Sequence, residues 1–152
     1  MTQPASLRTF LWFNNNLAEA LEFYKETFAD QLTIQSSGSP DESGKLMTAE
    51  FRIYGHSLVG MGWPGGDSFN NSISLAIQCD GQEEVDRLWD AIVKNGKAGQ
   101  CGWCVDPFGV NWQVTPYQMG EYLGSSDPEQ QAYAWQAMRN MGKIIIADFI
   151  KP

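Results

Sequence analysis

Residues 100–116, QCGWCVDPFGVNWQVTP, read as two strands joined by a tight turn. In Asp106-Pro107-Phe108-Gly109 the Pro presets φ at the second position, and Gly follows where a left-handed residue is often needed. That is the chemistry of a type I turn. Beyond it, Val110, Trp112 and Val114 alternate with Asn111, Gln113 and Thr115. Period two marks a strand with one apolar and one polar face. A solvated sheet face usually carries Lys and Glu. Three uncharged hydrogen-bonding side chains in a row suit a half-wet cavity wall, and an ordinary exposed strand face is the plain alternative.

Upstream, Ser72–Cys79 reads as a strand and Asp80-Gly81 as the lead into a helix. Val85, Leu88, Trp89 and Ile92 form its apolar stripe, and Gly96 supplies the stop. The same order appears earlier in the chain. Leu7–Phe13 reads as a strand, and Asn14-Asn15-Asn16 offers a helix N-cap. Leu17, Ala20, Leu21, Tyr24 and Phe28 recur at helical spacing. Leu32–Ser36 reads as a strand, 37–44 as a loop, Leu46–Ile53 and Ser57–Gly62 as strands, and Tyr54-Gly55-His56 as the turn between them. Strand, helix and paired strands thus occur twice, at about 7–62 and 70–118. An α+β fold follows, with one helix covering one face of each small mixed sheet. The other faces are expected to cup a shared cavity.

Residues 119–152 form a helical tail on what is expected to be one structural domain. Asp127 and Pro128 mark a helix start, with Ala132, Trp135, Met138 and Met141 expected to face the body. Gly142 breaks that helix, and 143–150 leans towards a short second one. The tail also carries Tyr122, Tyr133 and the Ile144-Ile145-Ile146 run, more apolar surface than a terminal helix needs on its own domain. A homodimer is therefore expected.

Composition bounds the function. The 152 residues are 43% hydrophobic and include six Trp, a folded globular composition. Ten basic against eighteen acidic residues give a net charge of −8, which disfavours nucleic acid and anionic membrane as partners. No apolar run approaches a membrane span, and the first ten residues lack a signal-peptide core, so a cytoplasmic protein is expected. Three Cys without disulfide-framework spacing agree with a reducing compartment.

Three segments carry a resemblance. These are Leu11-Trp12-Phe13 followed by Asn16-Leu17-Ala18-Glu19-Ala20 and Phe23-Tyr24, then SISLAIQCDGQEEVDRLWDAI, then GQCGWCVDPFGVNWQVTP. Together they resemble the PhnB-like branch of the vicinal oxygen chelate superfamily, also called the 3-demethylubiquinone-9 3-methyltransferase family. The resemblance implies paired βαβββ modules, a cupped sheet around a cavity, and commonly a homodimer. Its relatives include glyoxalase I, extradiol dioxygenases and bleomycin- or fosfomycin-resistance proteins. Metal-dependent relatives place His or Glu on the inner strands. Carried onto this chain, those positions hold Thr9, Ser72 and Gln113, with the strand-four position near Val59 or Gly60. None is a strong ligand for Zn²⁺, Fe²⁺ or Mn²⁺, so no metal and no cofactor are expected.

Other motifs read as structural. The single His, His56, belongs to a turn and reads as a solvated residue. Cys101-Gly102-Trp103-Cys104 is a CxxC in a strand context, where residues three apart point to opposite faces. Buried structural Cys is the reading there. Gly60-Met61-Gly62-Trp63-Pro64-Gly65 matches GxGxxG but leads into a Gly-rich loop, so no helix N-terminus awaits a dinucleotide or S-adenosylmethionine. Glu83, Glu84, Asp86 and Asp90 read as a solvated helix face. What remains is a pocket for a small, partly apolar molecule, lined by Thr9, Ser72, Asn111, Gln113 and Thr115 with aromatic surface from Trp12 and Trp103. The alternative is a lyase, isomerase or transferase of the same superfamily acting on a small metabolite.

Overall fold

The computed structural model describes residues 1–38 and 40–152; Ser39, inside the expected 37–44 loop, lies outside the described residues. The chain divides into two compact units, Met1–Ser68 and Phe69–Pro152. Each contains one βαβββ module, as the repeated sequence pattern requires.

The first unit runs β1 (Thr9–Trp12), α1 (Leu17–Phe28), β2 (Leu32–Ser37), β3 (Thr48–Ile53) and β4 (His56–Met61). Its sheet has the order β1-β4-β3-β2; β1 is parallel to β4 and the other pairs are antiparallel. The stripe Leu17, Ala20, Leu21, Tyr24 and Phe28 is buried, as its helical spacing predicts. Tyr24 anchors this core. Its ring stacks on Phe51 with centroids 6.4 Å apart and meets the edge of Phe13 at 6.1 Å. A fully buried aromatic of this kind contributes about 1.5–3 kcal/mol. His56 is not in the turn but opens β4, opposite Ile53. Tyr54 and Gly55, with φ of 48° and 79°, complete a two-residue hairpin turn and leave no room for a third residue.

The first two glycines of the GxGxxG match serve packing, while Gly65, at φ 97°, stands in open space and serves a turn. A side chain on Gly60 would come within 2.5 Å of Leu17 Cδ1, and one on Gly62 within 2.6 Å of the Leu46 carbonyl oxygen. They let α1 settle on β4. No helix begins between residues 62 and 74, so the segment has no phosphate-binding geometry.

The second unit runs β5 (Leu75–Cys79), α2 (Gln82–Val93), β6 (Lys97–Ala98), β7 (Trp103–Val105) and β8 (Asn111–Pro116), with sheet order β5-β8-β7-β6. Here β5 and β8 are parallel, and β6, β7 and β8 pair antiparallel. Val85, Leu88, Trp89 and Ile92 are buried on α2, and Ile77, Cys79, Cys104, Trp112 and Val114 are buried on the strands. Glu84 belongs to the helix start: its carboxylate accepts from the Asp80 N–H at 3.0 Å.

The tail packs on this second unit. It comprises α3 (Met119–Leu123), α4 (Pro128–Arg139) and a 3-10 turn at Ile146–Phe149. Asp127 caps α4 by accepting from the Glu129 N–H at 3.0 Å, with Pro128 at the first helical position, as expected. The inward face of α4 differs from the expected one. Ala134, Ala137, Met138 and Met141 pack with Ile144 and Phe149, while Ala132 and Trp135 are exposed. The reason lies in α3 and the 3-10 turn, which supply the opposing surface: Tyr122 stacks on Phe149 with centroids 5.8 Å apart. The tail thus has a small core of its own. The surface that pointed to a second copy is largely occupied within the chain. Residues 143–150 are extended at Ile145 before the single 3-10 turn, and so form no second α-helix.

Candidate functional site

The turn at Asp106 is the framework of the site. Asp106 is buried at 3% exposure and satisfies three donors. Its Oδ1 accepts from the Phe108 and Val110 N–H groups at 2.8 and 3.0 Å, and its Oδ2 accepts from Trp112 Nε1 at 2.9 Å. The Gly109 N–H closes the turn onto the Asp106 carbonyl at 3.0 Å, with Gly109 at φ 88°. One carboxylate therefore fixes both the turn and the indole beneath β8. The sequence shows Asp106 as a turn residue but not as this node, since its side chain could equally have pointed to solvent.

With Trp112 and Val114 under the sheet, alternation sends Asn111, Gln113 and Thr115 to the opposite face. Register brings the neighbours into line. Ala76, Gln113 and Trp103 lie side by side across β5, β8 and β7; Gln78 lies beside Thr115, and Val105 beside Asn111. Gln113 Nε2 donates to Ser74 Oγ at 2.8 Å. Asn111 Nδ2 donates to the Gly109 carbonyl at 3.2 Å, and Thr115 Oγ1 lies 3.5 Å from the Ile77 carbonyl. Lys97 sits at the far edge, beside Val105. The rest of this face is uncharged: Ala76 and Val105 lie among its amide, hydroxyl and indole groups, and Asn111 is buried at 8% exposure.

Of the seven expected lining residues, Trp103, Asn111, Gln113 and Thr115 come together here. Ser72 does not. Its N–H donates to Asn70 Oδ1 at 2.9 Å, an Asx turn that holds residues 70–73 out of the sheet, and β5 begins at Leu75. Ser74 takes the place beside Gln113. A polar residue two positions along the same run was its only signal in the sequence.

Thr9 and Trp12 belong to the first unit and lie on opposite faces of β1. Thr9 is in phase with buried Leu11 and pairs with buried Leu58, and its Oγ1 lies 2.8 Å from His56 Nε2. Trp12 lies on the other face with Phe10. Its Nε1 donates to the Trp63 carbonyl, and Gly66 rests on its ring so closely that a Cβ there would stand 2.7 Å from it. Trp12 pins the 63–66 loop, leaving Phe10 as the exposed aromatic of that face at 57%.

The CxxC is not a strand pair. Cys101 and Gly102, at φ 57° and 82°, are the two central residues of a tight turn, closed by the Trp103 N–H onto the Gln100 carbonyl, in the connection between β6 and β7. Cys101 Sγ donates to the Met138 carbonyl at 3.4 Å, so it faces the tail. Cys104 and Cys79 are buried, and burial pushes both thiols up to about 12, with Asp106 and Glu84 respectively adding to the rise. All three cysteines are free. Ellman's reagent at pH 8 is expected to titrate one thiol per folded chain, Cys101, and three after unfolding without reductant. One thiol after unfolding would reveal a disulfide. Among the described residues, no three His, Cys, Asp or Glu side chains are grouped to hold a metal. No helix among them is long and apolar enough to cross a membrane.

This geometry can be set beside known proteins. No curated protein matches the chain. A PhnB protein from Bacillus cereus has a similar structure, with TM-score 0.65 and 27% identity over 74% of this chain and 99% of its own. A Pseudomonas aeruginosa protein has TM-score 0.58 and 22% identity over 73% and 98%. The fosfomycin resistance protein FosX from Listeria monocytogenes, solved with Mn(II) and sulfate, has TM-score 0.53 and 20% identity over 72% and 90%. The last two share the fold, that of the vicinal oxygen chelate proteins. The model of one family, described as 3-demethylubiquinone-9 3-methyltransferase, matches residues 5–115, which takes in both modules and the Asp106 turn. The chain is therefore a member of the PhnB-like 3-demethylubiquinone-9 3-methyltransferase family, within the vicinal oxygen chelate superfamily.

Proposed function

We propose that this chain is a small-molecule binding protein that works without a resident metal, its ligand lying on the open face of the β5-β8-β7-β6 sheet. The observation that carries this reading is the uncharged row Ser74, Asn111, Gln113 and Thr115 beside Trp103. The amide and hydroxyl groups fix a ligand's polar atoms, and the indole takes its apolar part. FosX was solved with Mn(II), but the donor chemistry here does not fit such an ion. Thr9, Ser72 and Gln113 are weak ligands, and the Asx turn at Asn70 keeps Ser72 out of the sheet that carries Gln113.

The family's name supplies no methyl-donor site either. In the Gly60–Gly65 match Gly60 and Gly62 pack α1, and the chain shows no glycine-rich strand-to-helix turn there. A cytoplasmic setting fits three thiols held free.

Freshly purified protein is expected to contain no stoichiometric transition metal by elemental analysis, while native mass spectrometry finds a small molecule retained or exchangeable. One Zn²⁺, Mn²⁺ or Fe²⁺ per chain, lost on Gln113→Ala, would overturn the metal-independent reading.

A homodimer is part of this proposal. Its support is the exposed Phe10 and the outer strands left unpaired at each sheet's edges. Sedimentation equilibrium is expected to give twice the 17.0 kDa chain mass. A single monomer species at high concentration contradicts it. A dimer unchanged by deletion of residues 126–152 would show that the tail does not hold it together.

A further inference from the structure

We infer that the C-terminal tail is a positioning strap for Trp103, and so controls the shape of the ligand face; the inference rests on that face being the ligand site. The matched family segment ends at residue 115, so the tail is an addition to the common module. Its contacts converge on one place. The Cys101–Gly102 turn has two successive left-handed residues, and the first is not a glycine. Such a pair suits a tight hairpin turn, as at Tyr54–Gly55, and leaves the turn's outward N–H groups in need of acceptors.

The tail supplies those acceptors. The Cys101 N–H donates to the Met141 carbonyl and the Gly102 N–H to the Gly142 carbonyl, each at 2.8 Å. These are the outward N–H groups of the turn. A side chain on Gly102 would meet the Val114 carbonyl at 2.9 Å and Ile144 Cγ1 at 3.1 Å, so β8 and the tail together leave no room for one. Trp103 follows directly, its own N–H donating to the Gln100 carbonyl at 3.0 Å across the same turn. The direction in which Trp103 leaves for the open face is thus set by a turn that the tail holds.

The strap has its own latch on α2. The Gln82 side chain imitates a backbone: Nε2 donates to the Ile144 carbonyl at 2.9 Å and Oε1 accepts from the Ile146 N–H at 2.8 Å. Lys143 lies beside it, 3.2 Å from Asp86 and 3.0 Å from Asp90. The acidic face of α2 therefore does more than sit in solvent. Two of its carboxylates hold Lys143.

The test needs no ligand. The Gln82→Ala/Lys143→Met variant removes the latch while leaving the tail's apolar core in place. Two readouts are taken on the full chain. Cys101 reports strap opening, because its thiol is covered by Met138 and the other two thiols are buried. The label 5-fluorotryptophan, with the Trp103 resonance assigned through Trp103→Phe, reports the site wall by ¹⁹F NMR.

In the variant, Cys101 is expected to react with Ellman's reagent about tenfold faster. The Trp103 resonance is expected to shift or broaden while those of buried Trp89 and Trp112 stay in place. Lys143→Arg with Gln82 intact is expected to restore both readouts. Faster Cys101 reaction with an unmoved Trp103 resonance would overturn the inference, and so would unchanged Cys101 reactivity. Should the double variant fail to fold, hydrogen exchange on the unaltered chain decides. The Cys101, Gly102 and Ile146 amides should open together, and independent opening contradicts the strap. Failure of the ligand reading would show separately, as the absence of any ligand on a face whose Trp103 still follows the strap.

Discussion

Asp106→Ala is expected to lower the unfolding free energy by about 3–4 kcal/mol, read as a shift in the urea midpoint at unchanged slope. The carboxylate serves the Phe108 and Val110 N–H groups and the Trp112 indole N–H, all beneath or within the turn. Taking the acceptor away from a buried donor costs roughly 1–3 kcal/mol, and relaxation of the turn recovers part of the total. Asp106→Asn separates the contributions. One amide oxygen can still accept from the turn, but an NH₂ group then faces the indole N–H. Its loss should be smaller than that of Asp106→Ala and should be abolished as a difference in a Trp112→Phe background. A control on the open face, Thr115→Val, is expected to change stability by less than about 1 kcal/mol, since its hydroxyl makes one long contact. Equal losses for Asp106→Ala and Thr115→Val would mean that Asp106 is not the node described.

The second large effect is expected at Gly96, between α2 and β6. A Cβ there would stand 2.1 Å from the Val105 carbonyl oxygen and 2.6 Å from that of Ile92. Both obstacles are backbone, so no side chain can swing aside. Gly96→Ala is expected to cost about 2–4 kcal/mol, through displacement of the β7 edge from the end of α2. Gly96 does not adopt a positive φ, and an exposed helix end would welcome Ala there. A neutral or stabilising Gly96→Ala in chemical denaturation would therefore place α2 differently from the packing described.

Much of this was legible in advance because the two modules announce themselves through periodicity. Val110, Trp112 and Val114 alternate with polar residues and are buried as alternation requires. The stripes Leu17 to Phe28 and Val85 to Ile92 gave both helices and their inward faces. The strand β6 was not legible: Lys97-Ala98 is too short to show any period, and it exists only because β7 pairs with it.

The site was less accessible for three physical reasons. In Thr9-Phe10-Leu11-Trp12-Phe13 nearly every residue is apolar, so the pattern does not say which phase α1 covers. The family resemblance puts Thr9 on the cavity wall and the aromatic reading adds Trp12, although the two occupy opposite faces of β1. At Ser72, a side-chain acceptor two residues earlier delays the strand, and Ser74 becomes the partner of Gln113. At Cys101, a tight turn takes the residue out of the strand and its N–H donates to the tail at Met141, a long-range contact that the CxxC spacing does not encode.

The central claim is that the uncharged face of the second sheet binds the ligand. Its most direct test is a ¹H–¹⁵N NMR screen of small neutral and amphipathic metabolites, followed by titration of any binder. Binding is expected to perturb the Trp103 indole N–H and the Asn111 and Gln113 side-chain amides without added metal, and Gln113→Leu to weaken the binder by about tenfold or more. Binding that leaves those three signals unmoved, or that requires a divalent metal ion, would contradict it.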